Sequence, residues 1–262
     1  MHWFRKGLRL HDNAGLLHAL SLARGAKDAN TVGKIYPVYI VDPNCYQLLK
    51  CSVNRAKFLL ECVRDLDNSL KVKGSRLYVA TGDPVEILPK LWSEWGVTNM
   101  TYDADETGEP YAVERDGAVQ NFAAQMGVEM LAFQSETLRP LGNVPGGYVA
   151  SLGGLASNAP SSMSSFQQLL SRIERGNIPA PLDAPTKADF PIHPTTTHDV
   201  DKYLPLKHPW EIPWPRGYKR DEIGPVWDRK DCLNAAFRPI VSGGETFALQ
   251  RLEEVVTARP DW

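Results

Sequence analysis

At 262 residues the chain is long enough to bury one or two hydrophobic cores. A formal net charge of -2 excludes a global basic footprint for nucleic acid and leaves only a local patch open. Cys45, Cys51, Cys62 and Cys232 show no CxxC spacing, which argues against a zinc site and for reduced thiols.

The first predicted element is short: His2, Trp3 and Phe4 form a strand that breaks into a basic loop with Arg5, Lys6 and Arg9. Asp12 or Asn13 then caps a helix in which Leu16, Leu17 and Leu20 fall at helical spacing. Residues 34–41 are apolar on both faces, as a buried parallel strand requires. Ser52 caps a long helix with Ala56, Leu59, Leu60, Val63, Leu66 and Leu70 in one stripe and Gly74 at its close. A strand at 76–80 leads to a helix at 85–95, with Asp83 as N-cap, Pro84 in the first turn and Gly96 past the end. Leu88, Leu91, Trp92 and Trp95 make its inward face, where tryptophan packs a core rather than relays electrons. A strand at 98–102 enters an acidic loop, and a further helix with the stripe Val119, Phe122, Ala123 and Met126 precedes a strand at 128–133. Strands alternating with helices in this way imply an α/β fold with a five-stranded, right-handed, doubly wound parallel sheet; the order expected for it is 3-2-1-4-5.

Beyond Phe133 the alternation stops. Residues 134–160, rich in Gly, Ser, Asn and Pro, read as a surface loop, and 161–175 as a helix. From 178 to 242 the chain holds 11 of its 20 prolines. A run that long without periodicity reads as an extended strap on another domain, burying Trp210, Trp214, Trp227 and Phe237. Gly243-Gly244-Glu245 opens a helix whose Ala248, Leu249, Leu252, Val255 and Val256 form an apolar face with nothing later in the chain to cover it.

Trp3-Phe4-Arg5-Lys6-Gly7-Leu8-Arg9-Leu10-His11-Asp12-Asn13 resembles the first motif of the photolyase/cryptochrome family, on the side of animal-type cryptochromes and (6-4) photolyases. Val53-Asn54-Arg55, Leu77-Tyr78-Val79, Glu94-Trp95-Gly96-Val97-Thr98, Glu109-Pro110-Tyr111-Ala112 with Arg115-Asp116, Ser165-Phe166-Gln167 and Gly243-Gly244-Glu245-Thr246 continue the resemblance in order. Ala14-Gly15, the longer acidic loop at 106–109 and Phe247 depart from the family pattern. The resemblance implies an α/β, antenna-binding domain at 1–135, a loop, helix and Pro-rich connector at 136–242, and at 243–262 the first helix of an FAD-binding helical domain. By the same reading the chain is an amino-terminal portion, clipped at its start, because a core strand wants about five or six residues.

In an open parallel sheet ligands sit outside the carboxyl ends of strands where strand order reverses, here between the first and fourth strands. Arg5 and Lys6 on one side, and Asp103, Asp105 and Glu106 on the other, line that crevice, with Asp42, Arg55 and Glu109 as further candidates. A flat antenna chromophore such as a deazaflavin, flavin or folate suits it; the same charges equally suit loop-pinning pairs of Arg5 or Arg9 with Asp12 or Glu109. His11 and His18 have no carboxylate or cysteine at ligand spacing and are given no role, and no catalytic or metal-binding residue is assigned. GxGxxG after the first strand, GxxxxGK[ST] and GxSxG are all missing, against dehydrogenase, P-loop and hydrolase chemistry. No apolar run approaches the ~18 residues of a membrane span and no signal peptide is seen. The resemblance implies a monomer of the nucleus or cytoplasm. Its parent is a blue-light DNA photolyase, a lyase acting on pyrimidine photoproducts of the (6-4) type in damaged DNA, with FAD; the alternative is a cryptochrome photoreceptor that meets clock or signalling proteins. On either reading this chain alone lacks the catalytic domain.

Overall fold

The computed structural model describes residues 1–25, 33–42, 44, 53–104, 109–134, 164, 180–191 and 242–258, with backbone alone at 53–57. The Ser52 cap, the acidic-loop residues Asp105 and Glu106, the loop expected at 134–160 apart from Gln134, the helix expected at 161–175 apart from Ser164, and Trp210, Trp214, Trp227 and Phe237 lie outside the described residues. So does the Arg55 side chain.

The described strands are β1 (His2–Phe4), β2 (Pro37–Val41), β3 (Tyr78–Thr81), β4 (Asn99–Asp103) and β5 (Glu129–Phe133). The described α-helices are α1 (Ala14–Arg24), α2 (Val53–Val72), α3 (Pro84–Trp95), α4 (Pro110–Met126) and α5 (Glu245–Ala258). All strand pairs are parallel, as the alternation of strand and helix implies, and the order is β3-β2-β1-β4-β5, as expected. The interior strand β2 is buried along its whole length, so its run has no polar alternation. Val38 and Ile40 face one layer with Trp3, Leu88, Leu91, Trp92, Met100, Val119 and Ala123. Tyr39 and Val41 face the other, with Phe4, Leu16, Leu20, Val63, Leu66 and Leu70. α3 and α4 cover the first face, α1 and α2 the second.

Local chemistry sets the helix ends. Asn13 Oδ1 accepts from Leu16 N at 2.8 Å and starts α1, and Asp83 Oδ1 accepts from Val85 N at 2.9 Å and starts α3. Gly96, at φ 60, ends α3 in the left-handed conformation. Trp92 and Trp95 are core residues, 2% and 6% exposed, and Trp95 stacks on Tyr36 at 4.8 Å. The stripe of α4 differs from the expectation: Ala112, Val119 and Ala123 are buried, whereas Phe122 and Met126 stand 40% and 41% exposed. Gly127 turns the chain at φ 71, and Val128 enters the core in place of Met126.

Residues 180–191 pack against the α/β layers. Asp12 N donates to Leu182 O at 2.8 Å, Arg24 pairs with Asp189 at 2.8 Å, and Phe190 is buried beside Leu66 and Leu70. α5 approaches α2 so closely that only glycine fits at its entry. A Cβ on Gly243 would stand 2.2 Å from Phe58 O; Gly244 adopts φ 122, and its Cβ would stand 2.6 Å from Asp65 Cβ. Beyond that junction Phe247, Leu249, Leu252, Val255 and Val256 are 37% to 60% exposed. Among the described residues no helix is long and apolar enough to cross a membrane.

Candidate functional site

Strand order reverses between β1 and β4, where Trp3 stands opposite Tyr102, and the loops after both strands form the crevice. Arg5 is the first residue past β1. Its Nη1 donates to both carboxylate oxygens of Asp116, each at 2.7 Å, and its Nη2 donates to the main-chain oxygen of Asp103. The guanidinium also lies 5.0 Å from the Trp3 ring centre and 5.1 Å from that of Tyr102. Only 8% of the Arg5 side chain is exposed, so the pair is largely sheltered from solvent screening. Arg115, one residue before Asp116 on α4, donates to the same carboxylate at 2.8 and 3.0 Å and covers Trp3 and Tyr111.

A second chain of polar contacts crosses from β2 to α4. Asp42 caps the turn after β2 by accepting from Asn44 N at 2.9 Å, and it accepts the Tyr111 hydroxyl at 2.5 Å. Burial, then the hydrogen bond to Asp42, pushes the Tyr111 phenol well above its ordinary value, which keeps it a donor. Asn44 Nδ2 continues the chain to Asp83 at 3.4 Å. The Asp103 carboxyl is buried at the end of β4. Asp42, Tyr111, Asn44 and Asp83 are tied to one another, an arrangement that fixes loop geometry rather than moves protons.

The sequence candidates therefore divide. Arg5, Asp42 and Asp103 come together at the carboxyl ends of β1, β2 and β4, and Lys6 is exposed beside them. Glu109 instead starts α4, accepting from Tyr111 N at 3.3 Å and Ala112 N at 3.0 Å. Glu106 and the Arg55 side chain lie outside the described residues. Loop-pinning pairs are present, one of them with an expected partner and one with a different partner. Arg9 does meet Asp12, at 3.4 Å, but Arg5 takes Asp116, 111 residues away, rather than Asp12 or Glu109. Asp116, Arg115 and Tyr111 belong to the site through the first two turns of α4; their spacing behind the Glu109 cap was the available signal. His11 also has a partner: its Nδ1 lies 3.0 Å from Glu245 on α5. A cavity of about 450 Å³ lies at the other end of the sheet, near the amino ends of β1 and β4, and does not contain these residues.

A family model described as DNA photolyase matches residues 1–152. The chain belongs to the photolyase/cryptochrome family. Cryptochrome-1 of Gallus gallus is 34% identical over 253 residues, covering 97% of this chain and 35% of the relative. Cryptochrome-1 of Rattus norvegicus is 36% identical over 256 residues, covering 97% and 37%. The chain thus spans little more than a third of the length of these curated relatives. Among solved structures, a class III photolyase from Agrobacterium tumefaciens aligns with a TM-score of 0.65 at 23% identity, over 98% of this chain and 44% of that one. An archaeal photolyase from Sulfolobus tokodaii, described with two FAD molecules and a novel light-harvesting cofactor, aligns at 0.52 and 23% identity, over 71% and 36%. At those identities the structures show the shared fold, and the five-stranded α/β domain of this family is the one observed here.

Proposed function

We propose that this chain supplies the α/β domain of a blue-light-driven flavoprotein, with residues 1–135 as that domain, 136–242 as the connector and 243–262 opening an FAD-binding helical domain. The observation that carries the reading is the seating of α5. Its amino end is anchored on α2 by Gly243 N to Glu61 at 2.8 Å and Thr246 N to Asp65 at 3.0 Å, while its apolar side chains point away from the α/β layers. Leaving Leu249, Leu252, Val255 and Val256 uncovered forgoes several kcal/mol of burial, at ~1.5 to 3 kcal/mol each. A further helical layer on that face recovers it.

Bound in such a helical domain, FAD supplies light-driven electron transfer. The α/β residues do different work. Arg5, Arg115 and Asp116 form a rigid, charged floor over Trp3 and Tyr102, and Asp42 with Tyr111 fixes the neighbouring loop. An antenna chromophore, whether deazaflavin, flavin or folate, fits as a guest on that floor near Lys6. Arg5 then acts as wall rather than as a released anchor, because Asp116 and the Asp103 main chain already take its Nη1 and Nη2 donors.

For the whole protein the reading is repair of (6-4)-type pyrimidine photoproducts in damaged DNA. The names of the quoted relatives support a second reading, a cryptochrome photoreceptor acting on signalling or clock proteins. Expression from the complete coding sequence tests both. Stoichiometric FAD with blue-light repair of a duplex carrying one (6-4) photoproduct supports the first, and FAD without repair supports the second. A folded product that binds no flavin overturns both. The 262-residue chain by itself is expected to hold no stoichiometric FAD.

A further inference from the structure

The loop between β1 and α1 is held from three directions. At its start Arg5 is fixed by Asp116 and by the Asp103 main chain. At its end Asn13 caps α1 and donates back to Arg9 O at 3.1 Å. Between them Leu8 N turns onto Lys6 O at 3.1 Å, Leu10 is buried, and Asp12 adopts φ 50, an uncommon conformation for a residue other than glycine. A backbone bent that tightly needs support from outside the loop.

That support comes from the far end of the sequence. One oxygen of Glu245 accepts Leu10 N at 2.7 Å, and the other accepts His11 N at 2.9 Å and lies 3.0 Å from His11 Nδ1. The Glu245 side chain is 14% exposed although it belongs to the first turn of α5, because it reaches across to the loop. The opposite traffic runs through α2, whose Glu61 and Asp65 accept the main-chain donors of Gly243 and Thr246. Carboxylates at a helix amino end are favourable there. The glycines permit the approach that both sets of bonds need.

We propose that Glu245 is a positioning residue in a latch between α5 and the crevice. Seating α5 on α2 brings its carboxylate onto the Leu10–His11 main chain, which fixes the loop that carries Arg5 and Lys6. Only residues 6–9 lie between the two anchors, so a displacement at Leu10 has few backbone torsions in which to dissipate before Arg5. Coupling of this kind is reciprocal: loosening the Arg5 anchor weakens the seating of α5 by the same factor. Whatever partner covers the exposed face of α5 therefore bears on the crevice. The latch rests on the proposed function only for what the crevice holds, and it is testable on the bare chain.

Hydrogen exchange by NMR on the 262-residue chain reads both directions. Glu245→Gln keeps the shape and removes the charge. It is expected to speed exchange at the Leu10 and His11 amides about ten-fold, to speed Leu8, and to shift the Arg5 side-chain NH signals. Protection at Tyr39 and Val79 should persist and serves as the fold control. Asp116→Asn, at the other anchor, is expected to speed exchange at Gly243 and Thr246 about five-fold. Gly244→Ala unseats α5 without touching either anchor and should give the same loop signature as Glu245→Gln. Unchanged Leu10 and His11 amides in both α5 variants overturn the proposal. So does a loosened loop with Arg5 signals unmoved and Gly243 and Thr246 indifferent to Asp116→Asn, since Glu245 would then be a local cap. Flavin or antenna binding enters none of these measurements, so failure of the functional reading leaves them interpretable.

Discussion

Replacing His2 by Gln is expected to remove a pH dependence of stability that the chain carries between about pH 6.5 and 3. His2 is fully buried in β1. Its ring lies edge-on to Phe4 at 4.4 Å, with Nδ1 2.8 Å from Thr101 Oγ1 and Nε2 3.4 Å from Asn13 Nδ2. Asn13 offers an NH to Nε2, so the neutral tautomer with hydrogen on Nδ1 satisfies both contacts. Burial, and then the nearby amino terminus, lowers the imidazole from 6.5 to about 3. In the unfolded chain the ring takes up a proton as pH falls below 6.5, while the native ring stays neutral. The stability that His2 contributes is therefore complete above pH 6.5 and is lost as pH falls toward 3. At pH 5 the loss is about 2 kcal/mol relative to neutral pH. The Met1 amino group, lowered by burial to about 5, is common to both proteins and drops out of their difference. Urea unfolding followed by far-UV circular dichroism at a series of pH values measures the effect. The variant should start about 1–3 kcal/mol below the parent at pH 7, from the lost hydrogen bond and packing, and the gap should shrink by about 2 kcal/mol at pH 5. Parallel pH profiles, or a His2 ring that titrates near 6.5 by NMR in the folded protein, would refute the reasoning.

The Arg5→Lys substitution keeps the charge but loses the second nitrogen, which bonds the Asp103 main chain, and the stacking over Trp3, and is expected to cost about 1–3 kcal/mol in urea unfolding; an unchanged midpoint would mean these contacts contribute nothing. Asp83→Ala should cost about 1 kcal/mol through loss of the α3 cap, and Asp83→Asn much less, since Asn caps nearly as well. Equal losses in the two variants would place the role of Asp83 in its contact with Asn44 instead.

The helix boundaries were legible because their signals are local. Asn13, Asp83, Pro84 and Gly96 act within one turn of where they stand; the sequence pattern located the last three and narrowed the first cap to Asp12 or Asn13. Burial of α4 was less legible, because periodicity gives the angle of Phe122 and Met126 about the helix but not where the sheet beneath them ends. In the crevice, the residue types and the strands that carry them could be read in advance. The partners could not.

By itself, the sequence determined the alternation of strand and helix, and through it a parallel, doubly wound sheet with right-handed crossovers and a β2 buried on both faces. The order 3-2-1-4-5 was an expectation that the fold bears out. Motifs at 3–13 and 243–246 also carried the family. Only the tertiary structure decided that Arg5 is held by Asp116, that Asp42 accepts Tyr111, and that Glu245 grips Leu10 and His11 across 235 and 234 residues. The physical reason is range. A cap or a stripe is written in residues three or four apart, whereas a carboxylate accepts from any donor that the packing brings within about 3 Å, and packing is a property of the whole fold.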